Sequence, residues 1–142
     1  MKLKKIYSQG DVLDVALYDA LVILDQNIVF KGCANEFKKN RDWWVVLNKY
    51  GVIIAYCGCL YSEGICIFVR AWVDRKHRGN GFQRRMILTR IRAAKRNKCK
   101  SIITYTTTDN IPSANNLIKC GFVLYNPSYA YVGKNVLYWI KK

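Results

Sequence analysis

The sequence predicts a single α/β domain, residues 1–142, in which helices flank one mixed sheet. Two observations support this prediction. Segments with apolar residues at helical spacing alternate along the chain with short runs of β-branched and aromatic residues. The length of 142 residues suits one hydrophobic core, and no linker, repeat or low-complexity tract divides it.

The first half is predicted to be a helix followed by a strand meander. Residues 9–25 carry apolar side chains at helical spacing, and Ser8 followed three residues later by Asp11 resembles a capping box. The polar residues 31–41 predict a loop or a short helix. Three apolar runs predict strands at 43–47, 52–60 and 65–73, joined by turns at 48–51 and 61–64.

The second half predicts helices alternating with strands. A charged, glycine-bearing loop at 74–81 leads into a helix at 81–97, whose inner stripe is Ile87, Ile91 and Ala94. The remaining elements are expected to be a strand at 101–106, a helix at 112–119 with Gly121 as its C-cap, and strands at 122–125 and 136–140.

The chain is strongly basic, with 24 Lys and Arg against 9 Asp and Glu and a net charge of +15. This charge suits either a well-solvated basic surface or a polyanionic partner such as nucleic acid, an acidic protein or a phosphate-rich cofactor. The cations that would form such a surface lie on the outer face of the helix at 81–97: Arg85, Arg92, Lys95 and Arg96.

The composition also bears on location and metals. No apolar run approaches the roughly 18–20 residues that span a bilayer, and no signal peptide is visible, so a cytoplasmic protein without a membrane partner is expected. The six cysteines form no C-x-x-C pair, and His77 is the only histidine. We therefore expect buried free thiols, no metal site, and a solvated His77.

The most informative segment is residues 73–83, which follows a buried strand and opens a helix. Free backbone N–H groups and the positive end of the helix dipole converge at such a position. Gly79 and Gly81 allow a tight turn without a Cβ between backbone and ligand. A pyrophosphate is the natural occupant, and three cations would add positive charge on the 3′-phosphoadenosine side: Arg75, Lys76 and Arg78.

Other nucleotide and hydrolase motifs fit this segment poorly. The G-x-x-x-x-G-K-[ST] phosphate loop is absent. A dinucleotide fingerprint needs a third glycine where Arg84 stands, and an acidic residue about twenty positions later, where only basic and neutral residues surround Lys100. The single histidine lies in an Arg/Lys run and makes no convincing Ser/His/Asp triad.

The segment V-D-x-x-x-R-G-x-G, from Val73 to Gly81, resembles the acetyl-CoA pyrophosphate loop of the GNAT superfamily of N-acetyltransferases. A second segment agrees with it: Asn110-Ile111-Pro112-Ser113 followed by Leu117, Lys119 and Gly121-Phe122 is similar to the superfamily's N-x-x-[A/S]…K-x-G-F pattern. The apolar hairpin from Trp43 to Ala55 resembles the superfamily's central hairpin, and details of the sequence resemble small phage and bacterial members.

The resemblance implies a set of acetyl-CoA contacts. Backbone groups of Trp72 and Val73 would pair with the pantetheine amides, and Asn110 would bond the pantetheine arm. Ser113 would lie near the thioester sulfur. The pyrophosphate would be held by backbone N–H groups of Arg78, Gly79, Asn80, Gly81, Phe82 and Gln83. Two positions depart from the pattern: Lys76 replaces a common Gln or Arg, and Leu117 replaces the tyrosine that protonates the leaving thiolate.

The candidate catalytic residues follow from that departure. Ser113 is the leading candidate for the acid, with Tyr105 and Tyr125 behind it, and water can accept the proton of the amine. Glu63 and Asp109 are the only acidic residues expected near the cleft.

The resemblance implies an N-acetyltransferase that transfers an acetyl group from acetyl-CoA to a primary amine of a small molecule or protein. Two alternatives use the basic helix face: an acyltransferase acting on nucleic acid or a nucleic-acid-bound protein, and a nucleic-acid-binding module with little turnover. No motif indicates the acceptor, the acyl chain length or the oligomeric state.

Overall fold

The computed structural model describes all residues from Met1 to Lys142 and contains one seven-stranded sheet of order β1-β2-β3-β4-β5-β7-β6. The strands are β1 Leu3–Ile6, β2 Arg41–Leu47, β3 Ile53–Ser62, β4 Ile65–Val73, β5 Ser101–Thr107, β6 Val123–Leu124 and β7 Val136–Lys141. The α-helices are α1 Val12–Leu24, α2 Phe82–Arg96 and α3 Ile111–Lys119. A π-helical turn, Asp25–Val29, continues α1, and a short 3-10 turn, Arg75–His77, precedes α2.

The sheet is mixed, because β4 and β5 run parallel while the other neighbouring strands run antiparallel. Helix α2 makes the crossover between β4 and β5, as a parallel connection requires. The predicted architecture of a mixed sheet flanked by helices is confirmed.

The hydrophobic core consists of two clusters, one on each face of the sheet. The larger packs α2 and α3 against one face, with Met86, Phe68 and Phe122 among its buried members. The smaller lies on the face covered by α1, where Leu21 packs near Trp43 and Tyr56. The side chains alternate between the two faces along β2, so the adjacent tryptophans Trp43 and Trp44 belong to different clusters.

The amino-terminal region differs from the prediction in two respects. The N-cap of α1 is Asp11, whose carboxylate accepts the Asp14 N–H at 2.8 Å, so Ser8 does not form a capping box. Residues from Leu3 to Ile6 form an edge strand that the sequence pattern does not predict. The predicted helix end at residue 25 is the point where the π-helical turn begins.

A bulge in the centre of the sheet positions the functional region. The register between β3 and β4 shifts at Cys57/Gly58, and Arg70 on the opposite strand has a φ of 53°. Strand β4 pairs with β5 only over Ile65–Ile67. The two parallel strands then diverge, and the edge of β4 from Phe68 to Val73 has no strand beside it on the β5 side.

All six cysteines are unpaired, and four of them, Cys57, Cys59, Cys66 and Cys120, are buried. No three or more His, Cys, Asp and Glu side chains lie close enough together to hold a metal ion. None of the helices combines the length and the apolar character needed to span a membrane.

Candidate active site

A cleft of about 500 Å³ opens where β4 ends and α2 and α3 begin. Nearly all of the residues predicted to bind a cofactor line it: Trp72, Val73, Arg78, Gly79, Gly81, Phe82, Gln83, Asn110 and Ser113. Asn80 is not among the lining residues, and its side chain donates to the His77 carbonyl at 3.0 Å, but the prediction for this residue concerns its backbone N–H, which belongs to the same turn. Two separate sequence segments therefore meet at one cleft.

One wall of the cleft is a row of unpaired backbone donors. No residue from Gly79 to Arg84 finds a hydrogen-bond acceptor in the protein for its backbone N–H. Gly79 and Gly81 have φ values of 79° and 80°, and Gly81 is the N-cap of α2 without any side-chain cap. The turn thus directs its donors and the helix dipole at the same space, which is the arrangement that binds phosphate groups.

Basic side chains lie on and beside the turn that carries these donors. Arg78 and Arg84 line the cleft, whereas Arg75 and Lys76 are exposed on the preceding turn and do not line it. His77 also lines the cleft and is half-buried, with Nδ1 at 3.0 Å from the Asp74 carboxylate, so it is not the freely solvated residue expected. The hydrogen bond from His77 lowers the pKa of Asp74.

The free edge of β4 forms a second wall. The Asp74 N–H donates to the Ile54 carbonyl at 2.7 Å, and Trp72 lies opposite Tyr56. Antiparallel ladders alternate, so the backbone groups of Val73 and Ala71 face the cleft and those of Trp72 face β3. Beside Val73, it is therefore the backbone of Ala71, and not that of Trp72, that faces the cleft. The Val73 carbonyl accepts a hydrogen bond of 3.0 Å from Nε of Arg78.

A second cavity of about 220 Å³ continues the cleft into the gap between β4 and β5. Its lining includes Ile87 and Leu117 from the α2 and α3 face and Phe30 from the α1 face, so it passes through the sheet. Both cavities are lined by Ala71, Gln83, Asn110 and Ser113. These shared residues mark the junction at which a group held in the cleft would meet a second molecule entering the gap.

Asn110 and Ser113 reach the junction because α3 begins there. Asn110 is the N-cap of this helix, and its Oδ1 accepts the Ser113 N–H at 3.3 Å, which leaves the amide nitrogen of Asn110 free. Pro112 in the first turn suits a helix start. One turn further on, Leu117 is buried and lines the second cavity. An apolar side chain therefore occupies the position at which the GNAT pattern has a tyrosine.

The remaining acid and base candidates are only partly brought together. Tyr105 lines the second cavity, but Tyr125 lines neither, and burial raises the pKa of Tyr125. Glu63 lies in the turn beside the paired end of β4 and β5, away from the cleft, and Asp109 is exposed. No acidic residue lines either cavity.

Sequence reasoning missed a buried polar network next to the second cavity. Asp25 is fully buried, and its Oδ1 accepts Tyr56 Oη at 2.7 Å and Arg70 Nε at 3.0 Å. Arg70 also donates to the Ala34 carbonyl and lines the cavity. Burial, followed by the hydrogen bond to Asp25, raises the pKa of Tyr56 far above its ordinary range.

It also missed Arg90, whose side chain is buried in the core with 2% exposure. The guanidinium carbon lies 3.9 Å from the centre of the Phe68 ring. Its donors bond backbone carbonyls: Nε bonds Met86 at 3.2 Å, and Nη1 bonds Gly58 and Arg70 at 3.3 Å each. The helical period contained the signal, since Arg90 follows Ile87 by three residues and Met86 by four.

Comparison with known proteins adds evidence of a different kind. The sequence model described as "Acetyltransferase (GNAT) family" matches residues 15–122. No curated protein matches the chain in sequence.

Three solved structures illustrate the fold. A protein described as an acyl-CoA N-acyltransferase, from Klebsiella pneumoniae, has a TM-score of 0.71 at 15% identity over 99% of this chain and 95% of its own. The spermidine N-acetyltransferase of Vibrio cholerae has a TM-score of 0.69 at 14% identity over 99% of this chain and 94% of its own. A protein described as a streptothricin acetyltransferase, from Bacillus anthracis and solved with acetyl coenzyme A, has a TM-score of 0.60 at 23% identity over 82% of this chain and 69% of its own.

Proposed function

The chain belongs to the acetyltransferase (GNAT) family and is an acetyl-CoA-dependent acyltransferase; from that premise, we propose that it acetylates a primary amine of a small molecule or protein. One observation carries the assignment of the donor site. The unpaired N–H groups from Gly79 to Arg84 lie beside the unpaired edge of β4, in one cleft. Together they fit a diphosphate that continues into an extended chain with amide groups.

The residues present suit each part of this donor. The turn from Gly79 to Arg84 would hold the pyrophosphate, with Arg78 and Arg84 adding positive charge. The pantetheine arm would lie along Ala71 and Val73, which requires the Val73 carbonyl to exchange its bond with Arg78 for one to the ligand. The amide nitrogen of Asn110 is free to bond the same arm.

Acetyl-CoA supplies an acetyl thioester at the junction of the two cavities. Transfer forms a C–N bond to the acceptor amine and breaks the C–S bond, while the amine loses a proton and the departing sulfur gains one. Ser113 is the proposed group that protonates or orients the sulfur, because it lines both cavities. With no carboxylate in either cavity, the proton of the amine passes to water.

The test is release of CoA thiol from acetyl-CoA across amines, peptides, tRNA and DNA. The panel includes spermidine, the acceptor named for one structural neighbour. Acceptor-dependent thiol release by the wild-type chain, absent in Gly81→Glu, is the expected result. A chain that binds acetyl-CoA but releases no thiol with any acceptor would contradict the proposed reaction and favour a binding module.

The outer face of α2 favours a second proposal, that the acceptor is a polyanion or is bound to one. Arg85, Arg92, Lys95 and Arg96 are exposed there, and no ion pair with an acidic side chain involves them. Their charge is therefore not offset within the protein, and phosphate contacts would release counterions.

A further inference from the structure

The second cavity has a net positive lining. Arg70 and Arg90 are the charged residues in it, and no acidic residue lines it. The charge of Arg70 is offset by the buried Asp25, at 3.0 Å from Nε. Arg90 has no carboxylate partner, so its charge remains uncompensated although the side chain is buried.

The hydrogen bonds of Arg90 also leave it incomplete. A guanidinium has five N–H donors, and three are used by backbone carbonyls, through Nε and both hydrogens of Nη1. Nη2 makes no hydrogen bond in the protein. Three polar side-chain atoms are both fully buried and without a hydrogen-bond partner, and they belong to Arg41, Trp43 and Tyr131. Nη2 of Arg90 is not one of them, so it is not fully buried. Because Arg90 lines the second cavity, Nη2 retains access to that cavity.

A buried, uncompensated cation is costly, and such groups are normally paired with an anion. We infer that the second cavity binds an acceptor that carries a carboxylate on the same small molecule as its amine, with Nη2 of Arg90 as the anchor. This inference rests on the proposed amine acetylation and specifies the substrate class. The cavity of about 220 Å³ suits a molecule the size of an amino acid.

The positions of Gln83 and Arg90 on α2 also suit the two ends of such an acceptor. The junction with the donor cleft is formed by Ala71, Gln83, Asn110 and Ser113, and Gln83 and Arg90 lie about two turns apart on α2. The amine would point to the junction and the carboxylate toward Arg90. A polycationic amine would instead bring further positive charge to an unpaired guanidinium and is disfavoured.

Arg90 has a structural role as well, because it bonds the Gly58 and Arg70 carbonyls at the bulge. The experiment must separate the two roles. Thiol release from acetyl-CoA is measured with a series of ω-amino acids from glycine to 6-aminohexanoate, each paired with its own amide. The amide has the less basic amine, which is more often neutral, so a preference for the acid opposes intrinsic reactivity.

The variants are Arg90→Met, Arg90→Gln, which retains a donor for the carbonyls, and Lys49→Met as the control. Lys49 is an exposed cation in the β2–β3 turn and lines neither cavity, so its variant loses the same charge away from the proposed binding surfaces. For the wild type and Lys49→Met, kcat/KM should favour the acids by roughly ten- to a hundred-fold at the best chain length. Both Arg90 variants should lose most of that preference while binding acetyl-CoA normally.

Equal use of acids and amides by the wild type would overturn the inference. So would Arg90 variants that lower kcat/KM for acids and amides by the same factor, which is the mark of a purely structural role. If no acceptor at all is acetylated, the proposed function fails, and binding then decides the inference separately. Calorimetric titration of the CoA-bound protein should show N-acetylglycine, but not N-acetylglycinamide, binding in an Arg90-dependent manner; equal binding of both would refute it.

Discussion

The carboxylate of Asp25 accepts a hydrogen bond of 3.0 Å from Nε of Arg70, although 45 residues separate the two in the chain. Asp25 begins the π-helical turn after α1, and Arg70 forms the bulge of β4. The pair therefore ties the end of the first helix to the strand that borders the second cavity. It also holds Arg70 at the cavity wall without leaving its charge unpaired.

Asp25→Asn should destabilise the protein by about 3–5 kcal/mol, because it leaves Arg70, whose side chain is only 10% exposed, without a counter-charge. That is a large share of the 5–15 kcal/mol by which a domain is typically stable, at about 0.1 kcal/mol per residue. Urea denaturation measures the effect. The control is Glu63→Gln, an exposed carboxylate outside every ion pair, which should change stability by less than about 0.5 kcal/mol. Equal effects of both variants would show that the buried pair contributes nothing specific.

Gly81→Glu should abolish stabilisation by acetyl-CoA. The variant places a side chain and a negative charge beside the N–H groups that would bind the pyrophosphate. A matched control is Gly51→Glu in the β2–β3 turn, since both glycines have nearly the same φ, 80° and 78°, and open space where a Cβ would lie.

Both glycine variants should therefore lose a similar amount of stability without ligand, about 1–2 kcal/mol from the left-handed backbone. At a hundred times Kd, acetyl-CoA should stabilise the wild type and Gly51→Glu by about 2.7 kcal/mol and leave Gly81→Glu unchanged. Thermal unfolding with and without ligand is the measurement. Stabilisation of Gly81→Glu to the wild-type extent would remove the pyrophosphate site from this turn.

How much the sequence can predict depends on whether the signal is local. The glycine turn and the start of α3 are continuous segments, and their resemblance to the GNAT motifs predicts that Gly79, Gly81, Asn110 and Ser113 share one cleft, which all four line. Strand β1 escapes prediction because four residues with two adjacent lysines in the middle lack the apolar alternation of a strand.

The polar network required contacts that no local pattern encodes. Asp25, Tyr56 and Arg70 belong to different elements, and they meet only because the bulge in β4 turns Arg70 toward α1. Arg90 is a different case: it lies on the apolar stripe of α2, so the helical period does indicate its burial.

Ser113→Ala should lower kcat by roughly ten- to a hundred-fold and change the affinity for acetyl-CoA little, if the hydroxyl protonates or orients the departing sulfur. Ser113→Thr, which keeps the hydroxyl, should recover part of the rate. Single-turnover kinetics and a CoA titration separate the two quantities. Unchanged kcat in Ser113→Ala, together with a loss in Tyr105→Phe, would transfer the role to Tyr105, which also lines the second cavity.

The buried cysteines should resist alkylation in the native state. Burial raises the pKa of Cys57 from 9.0 to about 11, whereas Cys33 is exposed. Iodoacetamide at pH 8, followed by mass spectrometry, should label Cys33 first and Cys57 only after unfolding. Because the pKa of Cys57 is higher in the folded than in the unfolded protein, burial of the protonated thiol contributes to stability. That contribution is complete below pH 9.0 and is lost as the pH rises toward about 11. Equal labelling rates for both cysteines would contradict the burial.

The outer face of α2 allows the polyanion proposal to be tested by charge reversal. The test variant changes Arg85, Arg92, Lys95 and Arg96 to Glu, and the control changes the exposed Lys31, Lys38, Lys39 and Lys49 to Glu. Both alter the net charge by the same amount, so a difference between them reports position and not total charge. Ile87 and Ile91 lie on the opposite, buried face of α2, so both proteins should fold.

Binding to a duplex DNA of random sequence is then measured as a function of salt, with CoA present at saturation. Saturating CoA matters because Arg78 and Arg84 line the donor cleft and would attract phosphates without any macromolecular partner. If α2 binds a polyanion, the wild type and the control should lose affinity steeply with salt. The α2 variant should bind far more weakly, with the salt slope reduced by about 0.9 for each phosphate that it no longer neutralises. Binding that disappears from the wild type once CoA is present would assign the basic charge to the cofactor, and equal weakening of both variants would assign it to net charge alone.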